Sequence, residues 1–173
     1  MKIVSALLLS VILAACLTLD TEGGYGPYRI PQGTVITLNQ ELTVAAGLAH
    51  VNILGTPIGD RHHYDANCRL ETWTLAKTPV TIKTDEFTVT KVTRESYVFS
   101  GLIAGTQYAG PVYFMEGPRL LYYDTHIYLR SPRQPDVYRL TCGHLQDSAM
   151  NPRHLTAMEM RKTLEPVMTM RLP

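Results

Sequence analysis

The sequence predicts an all-β domain, either an antiparallel β-sandwich or a partly open barrel, with a short C-terminal α-helix. From about residue 31 the chain consists of short runs rich in Val, Thr, Ile, Tyr and Leu, separated by Gly, Pro, Asp or Asn, a pattern typical of strands and turns. No helical pattern lies between successive runs, so hairpin connections and antiparallel pairing are expected. With 173 residues, 45% of them hydrophobic and 18% charged, the chain is long enough for one globular domain.

The first fifteen residues have the organisation of a secretion signal. Lys2 gives a short positive region, residues 3–13 form an apolar run, and Ala14 and Ala15 are the small residues expected before a cleavage site. The apolar run of about 11 residues is too short to cross a bilayer, which requires about 20 residues of helix. A plain signal peptide is one interpretation, and a lipoprotein signal is the other.

The motif Leu13-Ala14-Ala15-Cys16 resembles the lipobox of bacterial lipoproteins. The resemblance implies removal of residues 1–15 and acylation of Cys16 by more than one fatty chain, which is what stable membrane anchoring requires. It further implies a position at the periplasmic face of the outer membrane, because Leu17 replaces the aspartate that retains such proteins at the inner membrane. Residues 16–30 would then be a lipid-anchored tether, 31–150 the β domain, and 151–173 a helix and tail packed on it.

Two cysteines remain, Cys68 and Cys142, and an oxidising compartment favours their pairing. Strand alternation places Cys68 on one face with Leu70, and Cys142 on one face with Tyr138 and Leu140. Both sulfurs are therefore expected to point inward and to form a disulfide. A reactive or metal-binding thiol is the alternative, but no zinc-type spacing surrounds Cys68.

The expected strands are short and closely spaced. They are residues 34–38, 41–44, 50–54, 68–75, 80–83, 86–93, 97–103, 112–115, 120–130 and 137–142. The clearest is 120–130, where alternation predicts a core face and a water-facing side. The core face would carry Leu121, Tyr123, Thr125, Ile127 and Leu129. The water-facing side would carry Tyr122, Asp124, His126, Tyr128 and Arg130.

The predicted helix begins at a capping box in which Thr156 is the N-cap and Glu159 returns the hydrogen bond. It should end near residue 165, because Pro166 cannot continue a helix. The apolar stripe of this helix, expected to pack on the sheet, consists of Ala157, Met160, Thr163 and Leu164. The alternative is a docking helix that exposes Met158, Met160, Met168 and Met170 to a partner.

Two groups of residues are candidates for binding. In the loop 57–65, His62, His63 and Asp65 could begin a zinc or copper site completed by His126 or His144. A solvated polar loop is the favoured interpretation, because the spacing of these residues matches no recognised metal-site pattern. On strand 120–130, Tyr122 and Tyr128 with His126 could form an exposed recognition surface. The alternative is that these tyrosines only make cross-strand pairs, as aromatic residues commonly do in strands.

Charge and motifs exclude several functions. A formal net charge of +1 leaves no polybasic surface, which argues against nucleic acid as a partner. The chain has no nucleophile elbow, phosphate loop, calcium loop or dinucleotide fingerprint, and no match to the short motifs of peptidoglycan-binding or peptidoglycan-cleaving families. The sequence thus predicts a non-catalytic, cofactor-free lipoprotein that binds or scaffolds an envelope protein or cell-wall component. A metal-binding protein or metal-dependent enzyme using His62, His63 and Asp65 is the alternative.

Overall fold

The computed structural model describes residues 26–54, 57–58, 64–98 and 120–171. The signal segment, Cys16, His62, His63 and the expected strand at 112–115 lie outside these residues. The strands, in chain order, are β1 (Val35–Leu38), β2 (Leu42–Val44), β3 (His50–Ile53), β4 (Pro57–Ile58), β5 (Asn67–Thr72), β6 (Val80–Ile82), β7 (Asp85–Val98), β8 (Leu120–Arg130), β9 (Val137–Asp147) and β10 (Met168–Arg171). Helix α1 (Ala157–Leu164) lies between β9 and β10, and a 3-10 turn occupies Gly26–Tyr28.

Eight strands form one curled antiparallel sheet that resembles half a barrel, in the order β10-β1-β7-β8-β9-β5-β3-β4. Strands β2 and β6 form a second, two-stranded sheet. The predicted all-β class with a C-terminal helix is therefore confirmed. The main difference in strand bounds is at β7. The sequence predicted separate strands at 86–93 and 97–103, whereas β7 continues without a break from Asp85 to Val98.

Helix α1 covers one face of the large sheet. Its capping box is present, since the Thr156 hydroxyl accepts a hydrogen bond from the Glu159 amide and the Glu159 carboxylate accepts one from the Thr156 amide. The buried residues of α1 are the four predicted ones, Ala157, Met160, Thr163 and Leu164. The docking-helix alternative is wrong for three of its four methionines, because Met158 alone is exposed and the others lie in the core. No helix in the described part of the chain is both long and apolar enough to cross a membrane.

A disulfide joins Cys68 on β5 to Cys142 on β9, as predicted. The two residues are directly opposite each other in the antiparallel pairing of these strands, and both are fully buried. The bond closes a sequence separation of 74 residues. It therefore fixes both the fold and the register of the two strands next to the polar residues described below.

Two β-bulges interrupt the alternation of the sheet. In β7, Val89 pairs with Leu129 of β8 and Lys91 pairs with Tyr128, so Thr90 between them has no partner on β8. Thr90 and Lys91 therefore both point away from the core. In β9, Tyr138 is the extra residue opposite β5, and it lies on the same side as Arg139 while Val137 and Leu140 are buried in the core. The prediction that Tyr138 shares a face with Leu140 and Cys142 is wrong for this reason.

Candidate functional site

Strand β8 is covered on both faces, which corrects the predicted water-facing side. Tyr122, Asp124 and His126 are 2%, 1% and 5% exposed, whereas Tyr128 is half-buried and Arg130 is exposed. The Asp124 carboxylate can be buried because it is hydrogen-bonded within the sheet. The Tyr97 hydroxyl on β7 donates to Asp124 Oδ2 at 3.1 Å. The described structure thus leaves Tyr128, and not Tyr122 or His126, at the surface that the sequence predicted for recognition.

A buried carboxylate organises the centre of this face. Glu71 on β5 accepts hydrogen bonds from Arg69 Nε at 2.9 Å, from two nitrogens of Arg139 at 3.1 and 2.6 Å, from the Thr141 hydroxyl at 2.6 Å and from the Tyr138 hydroxyl at 3.1 Å. Its two oxygens are shared by donors from β5 and β9. Such a charge can be buried because it is paired and fully hydrogen-bonded.

The electrostatics of the cluster follow from this arrangement. Burial alone would raise the pKa of Glu71, but the hydrogen bonds from Arg139 and Thr141 and the nearby charge of Arg69 lower that pKa to about 2. Burial and the Glu71 charge raise the pKa of the Tyr138 hydroxyl above its usual value of 10. At neutral pH the cluster therefore contains an ionised carboxylate, two guanidinium cations and a protonated tyrosine.

His126 is oriented by the same cluster. Because ionised Glu71 can only accept hydrogen bonds, the Thr141 hydroxyl donates its proton to Glu71. The 2.9 Å contact between His126 Nδ1 and Thr141 Oγ1 must then be donated by the imidazole. Nδ1 therefore carries a proton, and Nε2 lies 3.5 Å from Glu95 Oε2, a contact that is attractive only when Nε2 is protonated as well.

Beside this cluster lies a surface depression that we call the aromatic groove. The Trp73 ring stacks on the Tyr138 ring with centroids 3.8 Å apart and planes 18° apart, and Trp73 is 69% exposed. The groove has a volume of about 460 Å³. Its lining residues are Trp73, Thr90, Tyr128, Leu129, Arg130, Ser131, Pro132, Pro135, Val137 and Tyr138.

The two bulges account for this concentration of side chains. Tyr128 is the register partner of Lys91 on β7 and of Arg139 on β9, so both bulges lie directly beside it. Each bulge turns one extra residue, Thr90 and Tyr138, toward the groove. Bulges re-aim side chains in this way and are over-represented beside binding and active sites.

The walls of the groove are held rigidly. The Trp73 amide donates to the Asp136 carbonyl oxygen at 2.9 Å, and the amide and hydroxyl of Thr74 donate to the Asp136 carboxylate at 3.1 and 2.7 Å. Residues 131–136, which include Pro132 and Pro135, are tied to the sheet by Asp85.

Asp85 is buried and receives several hydrogen bonds from this loop. Its carboxylate accepts from the Ser131 hydroxyl at 2.7 Å, from Gln134 Nε2 at 3.2 Å and from the Arg133 guanidinium. Burial would raise the pKa of Asp85, but these bonds and the Glu86 amide lower it to about 2. The loop is thus fixed by charge-assisted hydrogen bonds at neutral pH.

The groove has a positive rim. Lys91 Nζ lies 6.0 Å from the Tyr128 ring centroid, and Arg139 Cζ lies 6.0 Å from the same centroid on the partner strand. Arg130 is exposed two residues beyond Tyr128, about 7 Å along the strand. In the described residues neither Lys91 nor Arg130 forms an ion pair. Arg130 lines the groove, and exposed Lys91 lies at its edge beside Tyr128.

The predicted metal site is not assembled by the described residues. His62 and His63 lie outside them, and Asp65 is exposed beside α1. His144 Nε2 is in hydrogen-bond contact with the Arg153 carbonyl oxygen at 3.1 Å, and His126 Nδ1 is bonded to Thr141. No three metal-ligating side chains converge within the described segments.

Comparison of the chain with protein-family models, curated proteins and solved structures gives no match. Its function is therefore inferred from its own residues and geometry. Of the six residues predicted for binding, Tyr128 lines the groove. The sequence analysis did not single out Trp73, Glu71, Tyr138 or Arg139 as binding residues. One signal in the sequence could have revealed the two bulges. Core residues in a regular strand are two apart, but Val89 and Val92 are three apart, as are Val137 and Leu140.

Proposed function

We propose that this protein is a non-catalytic binding module of the bacterial envelope, tethered to the periplasmic face of the outer membrane by lipid on Cys16. It binds an envelope component in the aromatic groove. The observation that carries the proposal is Trp73, which is 69% exposed on a platform whose position is fixed by Tyr138 and Asp136. Large rigid aromatic side chains with one apolar face open to solvent are typical of binding surfaces.

The chemistry of the neighbouring groups favours binding over reaction. Glu71 is held ionised by five hydrogen bonds from four residues, so it is a poor proton donor and has little remaining capacity to accept a proton. Its effect is to fix Tyr138 and Arg139 in place. A preorganised surface of this kind gains affinity because little side-chain entropy is lost on binding.

Photo-crosslinking in intact cells tests the binding proposal. A photoreactive residue at Pro132, on the groove rim, should give an adduct with an envelope component, and the Trp73→Ala substitution should abolish it. The same residue at Met158, which is 77% exposed on α1, is the matched control and should give no such adduct. Equal labelling from both positions, or labelling from position 132 that survives Trp73→Ala, would contradict binding in the groove.

The anchor is tested separately. A Cys16→Ala chain should fail to incorporate labelled palmitate and should leave the membrane fraction. If the substituted chain still carries labelled fatty acid and fractionates with membranes, the lipid assignment is wrong, whatever the groove binds.

A further inference from the structure

The exposed platform has the geometry of a sugar-stacking surface. Tyr138 stacks on one face of the exposed Trp73 ring, and Tyr128 adds a third ring to the groove. The negative face of an aromatic ring attracts the weakly positive C–H groups that cover one side of a pyranose ring. The Thr90 hydroxyl lines the same depression and donates to the Tyr128 carbonyl oxygen at 3.3 Å, which leaves its oxygen open to accept a hydrogen bond from a sugar hydroxyl.

The size of the groove is compatible with a small rigid unit such as a sugar ring. Its volume of about 460 Å³ lies within the range of clefts that hold small molecules, roughly 300–1,000 Å³. The walls formed by residues 131–136 are fixed by Asp85 and by two prolines, so the depression is preformed.

The charge balance specifies the ligand further. Glu71 is shared by Arg69 and Arg139, and that trio has a net charge of +1. The Asp136 carboxylate accepts two hydrogen bonds from Thr74, which do not cancel its negative charge, so it offsets the +1 of that trio. Lys91 and Arg130 add two more positive charges that have no acidic partner among the described residues. An anionic ligand would complement this rim.

We infer that the groove binds a carboxylate-bearing glycan of the cell wall, with a sugar ring stacked on Trp73 and a carboxylate near Lys91 and Arg130. The inference rests on the proposed function, since it names the ligand of the same groove. The cell-wall source follows from that placement, because peptidoglycan is the carboxylate-rich glycan on the periplasmic side of the outer membrane. The chain would bind this glycan although its sequence lacks the short motifs of peptidoglycan-binding families.

Co-sedimentation tests this inference. The full-length acylated protein in detergent is mixed with purified peptidoglycan sacculi, with the same sacculi after amidation of their carboxylates, and with chitin as a neutral glycan. Native sacculi should deplete the protein from the supernatant. The Kd for native sacculi should be at least five times lower than the Kd for amidated sacculi or for chitin. The preference should shrink at high salt, because exposed charge pairs are screened.

Variants assign the binding to the groove. Trp73→Ala should weaken binding to native sacculi at least tenfold, and Trp73→Phe should restore most of it because a flat ring remains. Lys91→Gln and Arg130→Gln should each weaken binding about threefold to fivefold at low salt and have little effect on amidated sacculi. Lys162→Gln removes the same charge from exposed α1 and should change the Kd less than twofold. Circular dichroism of each variant establishes that the fold is intact.

Several outcomes would overturn the inference. Equal binding to native and amidated sacculi, unaffected by Lys91→Gln and Arg130→Gln, would mean a neutral-sugar surface. Absence of binding to all three polymers, with a protein adduct from position 132 in cells, would mean that the groove holds a protein segment. Both results leave the proposed binding function standing. Absence of sedimentation together with no Trp73-dependent adduct would refute the function as well.

Discussion

Replacing Glu71 with Gln should destabilise the fold in a strongly pH-dependent manner. The substitution keeps the shape of the side chain but removes the charge that pairs with Arg69 and Arg139. Folding lowers the pKa of Glu71 from its ordinary value of 4.5 to about 2. At about 1.4 kcal/mol per pKa unit, this difference corresponds to roughly 3 kcal/mol of stability at neutral pH.

The sign of the pH dependence follows from the direction of the shift. Because the folded state binds the proton of Glu71 less tightly than the unfolded state, the stabilisation is complete well above pH 4.5 and is lost as the pH falls through about 2. The linkage relation leaves about 1.4 kcal/mol at pH 3. The difference in free energy of unfolding between the wild type and Glu71→Gln should therefore shrink by roughly 2 kcal/mol between pH 7 and pH 3.

Urea denaturation followed by circular dichroism measures this difference directly, using the Cys16→Ser chain so that no lipid is attached. Glu86→Gln is the matched control, since Glu86 is exposed on a neighbouring part of the same sheet and should change the free energy of unfolding by less than about 0.5 kcal/mol. The reasoning fails if Glu71→Gln costs less than 1 kcal/mol at pH 7, or if its cost is the same at pH 7 and pH 3.

Three further predictions concern stability. Replacing Cys68 and Cys142 together with Ala should lower the free energy of unfolding by about 4 kcal/mol, as expected for a closed loop of this length, and a reductant should lower the Tm of the wild type but not of the variant. Gly143→Ala should cost at least about 2 kcal/mol in denaturant titration, because its Cβ would meet the Asp124 side chain and lie 2.5 Å from the carbonyl oxygen of residue 123; a neutral result would mean that the strands separate easily there. Thr156→Ala should cost about 1 kcal/mol by removing the N-cap of α1, whereas Thr156→Ser should be nearly neutral; equal losses for both would contradict a capping effect.

Local signals were sufficient for part of the fold. The helix was predicted from Thr156, Glu159 and Pro166, which act within a few residues of one another. The disulfide was predicted by elimination, because the expected acylation of Cys16 leaves one pair of cysteines. The helix could be predicted because its signals act over a short range of sequence. The disulfide could be predicted because few pairings of the cysteines were possible.

The candidate site depends on contacts that are distant in sequence. Glu71 and Arg139 are 68 residues apart, and only the pairing of β5 with β9 brings them together. Strand β8 misled the prediction because simple alternation assigns one side to water, whereas Tyr122 and His126 are buried on a second covered face. The bulge in β9 likewise moved Tyr138 from the expected core side to the groove.

The disulfide has a further consequence for the groove. Cys68 and Cys142 lie opposite each other three residues from Glu71 and Arg139, so the covalent bond also sets which β9 residue faces Glu71. A slip of one residue between β5 and β9 would exchange core-facing and groove-facing side chains along β9. In a reduced chain only side-chain packing and hydrogen bonds oppose such a slip. Oxidation of the thiols therefore stabilises the same register that brings Arg139 to Glu71.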